Sequence, residues 1–189
     1  MASRNRRLIR ELTAGQRSAY IQAVEQHYKR IYAFLYRLLQ DAALAEDMTQ
    51  DTFAAAWRSL DQFEGRASFA TWLHKIALNT YRDYRRRERL VVIPMDVEAT
   101  AALPDPAQEL IECLEAEELQ QRVQQAVAGL PEIYREVVIL HCYQGLKHSE
   151  VAELLDVPMG TVQYRLHVSL DKLRTVLREE AMDCETVVI

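Results

Sequence analysis

The chain has 189 residues, a hydrophobic share of 49% and a formal net charge of −5, room for one ordinary domain or two small ones. No apolar run approaches membrane-spanning length, and the basic start Met1-Ala2-Ser3-Arg4-Asn5-Arg6-Arg7 is not followed by the apolar core of a secretion signal. The charge is unevenly divided: residues 1–94 hold 16 Lys+Arg against 10 Asp+Glu, net +6, and residues 95–189 hold 7 against 18, net −11, so the basic half can bind phosphate despite the acidic total.

Residues 1–19 read as a loosely ordered basic tail, with Arg4, Arg6, Arg7 and Arg10 able to hold DNA by charge alone. Thr13-Ala14-Gly15-Gln16 fits a capping box, after which Tyr20, Val24, His27, Tyr28, Ile31, Leu35 and Leu38 recur at helical steps, predicting a long amphipathic helix that ends near Gln40. Asp41 is placed to cap a second helix running to about Leu60, with Met48, Thr52, Ala55 and Ala56 inward and Phe53 and Trp57 in the core. Glu46, Asp47, Gln50 and Asp51 share another face. Such a cluster is either a solvated acidic surface or a contact for something basic.

The stretch from Phe63 to Arg87 carries the most chemistry. Ser68 is a plausible N-cap; from it Phe69, Trp72, Leu73 and Ile76 fall on one side, and Lys75, Asn79, Arg82 and Arg86 on another. A Gly-containing loop with Phe63 and Phe69 at its ends, an amide at Asn79 and the cluster Arg85, Arg86, Arg87 and Arg89 combine base-stacking surface, a hydrogen-bonding group and phosphate neutralisers. Helix phase assigns Trp72 to core packing ahead of base stacking. The pattern F-x-G-x-x-x-F-x-T-W-L-x-x-I-A-x-N-x-x-x-D-x-x-R-R resembles the promoter-melting segment of bacterial sigma factors of the extracytoplasmic-function type. The resemblance implies that the loop Glu64 to Ser68, with Arg66 and Ser68, captures a flipped base of the minus-ten element, and that Phe63 and Phe69 also contact that element. It implies that Asn79 with Lys75 and Arg82 lines the path of the unpaired strand, while Arg85, Arg86, Arg87 and Arg89 suit the helix dipole and contact phosphates without reading sequence. It further implies that Glu46, Asp47, Gln50 and Asp51 dock on core RNA polymerase.

From Met95 to Gln121 there are eight acidic residues and no basic one, with Pro104 and Pro106 early in the run; residues 94–121 read as an acidic linker, flexible at least in its first part. Leu110, Leu114, Val123, Val127 and Leu130 predict a helix that begins before the second domain. Gly129-Leu130-Pro131 reads as a stop and a new start, Glu132 to Tyr143 as a helix with Val137, Val138 and Leu140 inward, and Gln144-Gly145-Leu146 as a turn. Ser149 to Leu155, the turn Asp156-Val157-Pro158 and a helix from Met159 to about Leu177 with Val162, Leu166, Leu173 and Leu177 packed have helix-turn-helix spacing. The acidic tail 179–189 is expected to fray at its start.

L-P-E-x-x-R-E-V-x-x-L followed by G-L-x-x-x-E-V-A-E-L-L-x-V-P-x-G-T-V-x-x-R-L is similar to the sigma domain that reads the minus-thirty-five element. That likeness implies that Thr161, Gln163, Tyr164, Arg165 and His167 face or approach the major groove. Relatives commonly carry a basic and then a small residue where this chain has Gln163 and Tyr164, and an R-A-R-like run where it has Val168-Ser169-Leu170. Fewer cations mean fewer phosphate contacts, so the expected upstream element is unusual or weak, or activity leans on the basic first domain; Gln163 remains suited to adenine.

The expected architecture is all-α: sigma domain 2 at 20–93 and a helix-turn-helix sigma domain 4 at 122–178. The expected protein is a cytoplasmic alternative sigma factor, not an enzyme, whose partners are core RNA polymerase, promoter DNA and, by the resemblance, an anti-sigma factor. The competing reading is a helix-turn-helix regulator of duplex DNA without polymerase, which leaves the 46–51 cluster and the Phe63 to Phe69 loop unused. Cys113, Cys142 and Cys184 are odd in number and far apart, and His141, Cys142 and His148 lack metal-site spacing. Neither a disulfide framework nor a metal, cofactor or small-molecule substrate is expected; no phosphate-cradling glycine loop or nucleophile elbow occurs.

Overall fold

The computed structural model describes residues 17–63, 65, 67–90 and 112–186, and every regular element among them is helical. The basic tail, the Thr13 to Gln16 box, Glu64, Arg66 and the linker residues 91–111 lie outside the described residues. The chain divides into two compact units, Met1–Glu98 and Ala99–Ile189.

In the first unit α1 spans Arg17–Leu39 and α2 spans Ala42–Arg58. Gln40 takes a left-handed φ of 58° and its amide N–H bonds to Tyr36 O at 2.8 Å; Asp41 then caps α2, accepting from Leu44 N at 3.0 Å. Two residues thus turn the chain back on itself. A 3-10 turn at Leu60–Gln62 leads to the loop before α3, Phe69–Leu90. The three helices pack on one another around Ile31, Phe34, Leu35, Met48, Phe53, Leu73, Leu78 and Tyr81. Burying such side chains is the main source of stability, roughly 1.5–3 kcal/mol each.

Small residues set the closest approaches. Ala19, Ala23, Ala45, Ala56 and Ala77 are at most 3% exposed, whereas Tyr20, Val24, His27 and Tyr28 flank the stripe half-buried. Thr49 and Thr52, both fully buried, bond back to Ala45 O and Met48 O at 2.6 and 2.7 Å, so neither hydroxyl is stranded. Trp57 departs from its expected core position: it is 43% exposed, because Ala56 occupies the buried line and the indole lies against Tyr20, centroids 4.7 Å apart. The Tyr20 hydroxyl donates to Phe53 O, and burial pushes its pKa up to about 12.

In the second unit α4 spans Glu112–Ala128, beginning inside the stretch read as linker, and α5 spans Glu132–Val138. Pro131 sits at the N-cap, where its missing N–H costs nothing. A π-turn at Ile139–Tyr143 extends α5, and Gly145 at φ 67° reverses the chain, with His141 Nδ1 donating to Leu146 O at 2.8 Å. Helix α6, His148–Leu155, starts with Lys147 N on Glu150 Oε2 at 2.9 Å, one residue earlier than Ser149. Asp156, at φ 54° and ψ 49°, ends it in a left-handed cap. Helix α7 runs Met159–Thr186, beyond the expected end near Leu177, since no Gly or Pro follows Gly160 to stop it. It packs against α4, α5 and α6 through Val162, Ser169 and Leu173.

Candidate nucleic-acid interface

The loop before α3 is built on three rings. Phe63 and Phe69 meet edge to face at 5.5 Å, and Trp72 lies 5.0 Å from Phe63 and 5.5 Å from Phe69. His27 of α1 backs Phe69 at 5.7 Å. Gly65 turns the loop with φ 72°, a conformation that costs glycine least. Ser68 closes it: its Oγ accepts from Thr71 N at 3.0 Å and lies 2.7 Å from Thr71 Oγ1. Phe63 and Phe69 are only 3% and 1% exposed, so the base-stacking surface expected of them is corrected. They pin the ends of the loop and offer no ring face to solvent. Trp72, assigned to the core, is half-buried, and helical phase sets it beside Lys75 and Asn79.

Along α3, Leu73, Ala77, Leu78 and Tyr81 face inward, while Lys75, Asn79 and Arg86 are exposed and Arg82 and Arg85 half-buried. Arg86 pairs with Asp83, and Arg85 with Glu88, both on the same helix. Exposed pairs of this kind hold by roughly 0–1 kcal/mol, little enough for a phosphate to replace the carboxylate. The result is a cationic line with one amide, ending at the aromatic loop.

On α2, Glu46, Asp47, Gln50 and Asp51 are all exposed, opposite the buried Ala45, Met48, Thr49 and Thr52. The Tyr28 phenol is pushed up by burial and then by the Glu46 carboxylate, which places that acid beside α1. The four groups form one acidic surface on the same unit as the cationic line.

In the second unit the exposed pole of α7 carries Gln163, Tyr164 and His167; Thr161 and Arg165 sit half-buried on its flank. Tyr164 is 64% exposed, and Met159, which the sequence reading passed over, is 51% exposed. Helical phase places Met159 near the Val162 and Leu173 seam, so the period alone gives no sign of its exposure. Ser169 is fully buried, its Oγ donating to Arg165 O at 2.5 Å. The middle residue of the Val168-Ser169-Leu170 run is therefore a packing residue. Among the described residues no group of three or more metal-ligating side chains occurs.

The chain matches the family models described as Sigma-70 region 2 over residues 23–91 and Sigma-70, region 4 over residues 120–173. It is 31% identical to the ECF RNA polymerase sigma factor SigW of Bacillus subtilis over 90% of this chain and 95% of that protein. It is 28% identical to the RNA polymerase sigma-H factor of Pseudomonas aeruginosa, over 93% and 96%. A solved structure of the sigma factor RpoE with the anti-sigma factor NepR from Bartonella quintana superposes with a TM-score of 0.69 at 26% identity, covering 84% of this chain and 96% of that one. The CnrH structure, in complex with the cytosolic domain of CnrY, gives 0.66 at 26% identity, over 93% and 97%. The all-helical units, the aromatic loop with its cationic helix, and the helix-turn-helix accord with these likenesses: the chain belongs to the ECF sigma factors, which direct RNA polymerase to initiate transcription at promoters.

Proposed function

We propose that the two units divide the work of initiation. The first, residues 20–93, binds core polymerase through Glu46, Asp47, Gln50 and Asp51 and holds the melted minus-ten strand along Lys75, Asn79, Arg82, Arg85 and Arg86, with Arg66 and Ser68 at the loop. The second, 122–178, reads the duplex upstream through the outward face of α7, and residues 94–121 connect them. The observation that carries this is the exposed Lys75, Asn79 and Arg86 line running into a loop pinned at both ends by buried rings. A fixed loop can offset the few kcal/mol of extruding a base, and the cations neutralise phosphate without reading sequence.

No residue is assigned a catalytic role; the chain acts as a polymerase subunit, in the cytoplasm. An anti-sigma partner is proposed from the likeness to RpoE and CnrH, whose solved structures hold NepR and CnrY. The test is run-off transcription with purified core polymerase on a pool of genomic promoter fragments. Discrete starts should need this chain, Asp47→Ala should weaken core binding, and Asn79→Ala should bind core yet fail to open promoters. Tight binding of duplex DNA without any core binding would instead make the chain a free-standing regulator.

A further inference from the structure

Three buried residues of α7, Val162, Ser169 and Leu173, fix which way the helix faces. At 3.6 residues per turn the opposite pole carries Gly160, Gln163, Tyr164, His167, Asp171 and Arg174, all exposed. Further along this pole His167 Nε2 lies 3.3 Å and Arg174 Nη1 3.1 Å from the Asp171 carboxylate, exposed contacts as weak as those of α3, and Arg178 is exposed as well. What remains outward over the first two turns is an amide, Gln163, beside an aromatic ring, Tyr164, which is 64% exposed and has no ring partner among the described residues. A cationic pole would mainly hold phosphate, whereas this one has the groups that read base edges. Glutamine matches the N6 and N7 edge of adenine, and apolar side chains match the thymine methyl.

We propose that Gln163 and Tyr164 are the specificity residues of this factor's upstream contact, and that they select an A·T step: Gln163 bonding the adenine edge, and Tyr164 covering a thymine methyl in the major groove. This rests on the division of work proposed above and adds which bases are read and by which atoms.

The test uses the full chain with core polymerase on promoters whose upstream element is randomised while the minus-ten element is kept. Wild type should enrich an A·T step. Replacing its thymine by deoxyuridine, which deletes only the methyl group, should lower initiation about fourfold, the worth of one buried methyl. Tyr164→Phe should keep that penalty, and Tyr164→Ser should abolish it. Gln163→Arg should move the preference from adenine to guanine by about tenfold. Factor-dependent transcripts with no upstream preference, or a deoxyuridine penalty unchanged in Tyr164→Ser, would overturn this assignment while leaving the sigma reading intact. If no transcript depends on the chain, the sigma reading falls and takes this one with it.

Discussion

Helices α3 and α7 are both long, both packed along one side, and opposite in what they expose. The pole of α3 shows Lys75, Asn79 and Arg86, with arginines held only by weak intrahelical pairs. That of α7 leads with Gln163 and Tyr164, and its charges, His167, Asp171 and Arg174, come after them along the helix in exposed pairs of the same weak kind. The difference suits the two forms of DNA that the proposed function assigns to them. An unpaired strand presents phosphates and ring faces, so charge and a shaped loop serve it; a duplex presents base edges in its groove, so amides and apolar surface do. On the proposed division, affinity and salt dependence would rest mainly with the first unit and selectivity with the second.

The most damaging break in the comparison is Phe69→Ala. It empties the contact among His27, Phe63 and Trp72 and should cost about 3–5 kcal/mol of stability by denaturant titration, with promoter opening lost alongside. The double variant Lys75→Ala/Arg86→Ala should lower the salt slope of holoenzyme binding to a pre-melted template by about 0.7 per cation. His167→Ala should leave that slope unchanged. Asp41→Ala removes the cap of α2 and should cost about 1 kcal/mol, measured by thermal unfolding, without altering upstream selectivity.

The smallest effect is a pH dependence. His27 is held below its ordinary pKa of 6.5, first by burial and then by the charges of Arg30 and His74. The folded protein therefore takes up this proton less readily than the unfolded chain. Stability from this group is complete above about pH 6.5 and declines as the pH falls from there toward the lower folded value. His27→Gln should flatten that part of the stability profile, and a profile that stays as steep would show that another group is responsible.

Much of this was legible because local signals and tertiary packing agreed. Asp41, Ser68 and Pro131 mark helix starts by chemistry that needs no distant partner, and Val162 and Leu173 lie on the buried seam that their period predicts. The misreadings arose where apolar size was taken for burial. At close crossings Ala56 and Ala23 enter the core ahead of Trp57 and Val24, since a small side chain lets two helices approach. Phe63 and Phe69 stand at the ends of a loop, and only the neighbouring Trp72 and His27 reveal that they are buried supports. The acidic run after Leu177 looks like a frayed end, yet charge alone does not break a helix.

The division between the two helices is tested most directly on one promoter, by probing upstream duplex protection and the reactivity of unpaired thymines in the same holoenzyme complex. With Asn79→Ala the account predicts upstream protection as in the wild type and no reactive thymines at the start region. Tyr164→Ser should weaken upstream protection about fourfold, while a template already melted at the minus-ten element engages as in the wild type. If Asn79→Ala instead lost upstream protection and still opened the promoter, the assignment of α3 to the melted strand would be contradicted.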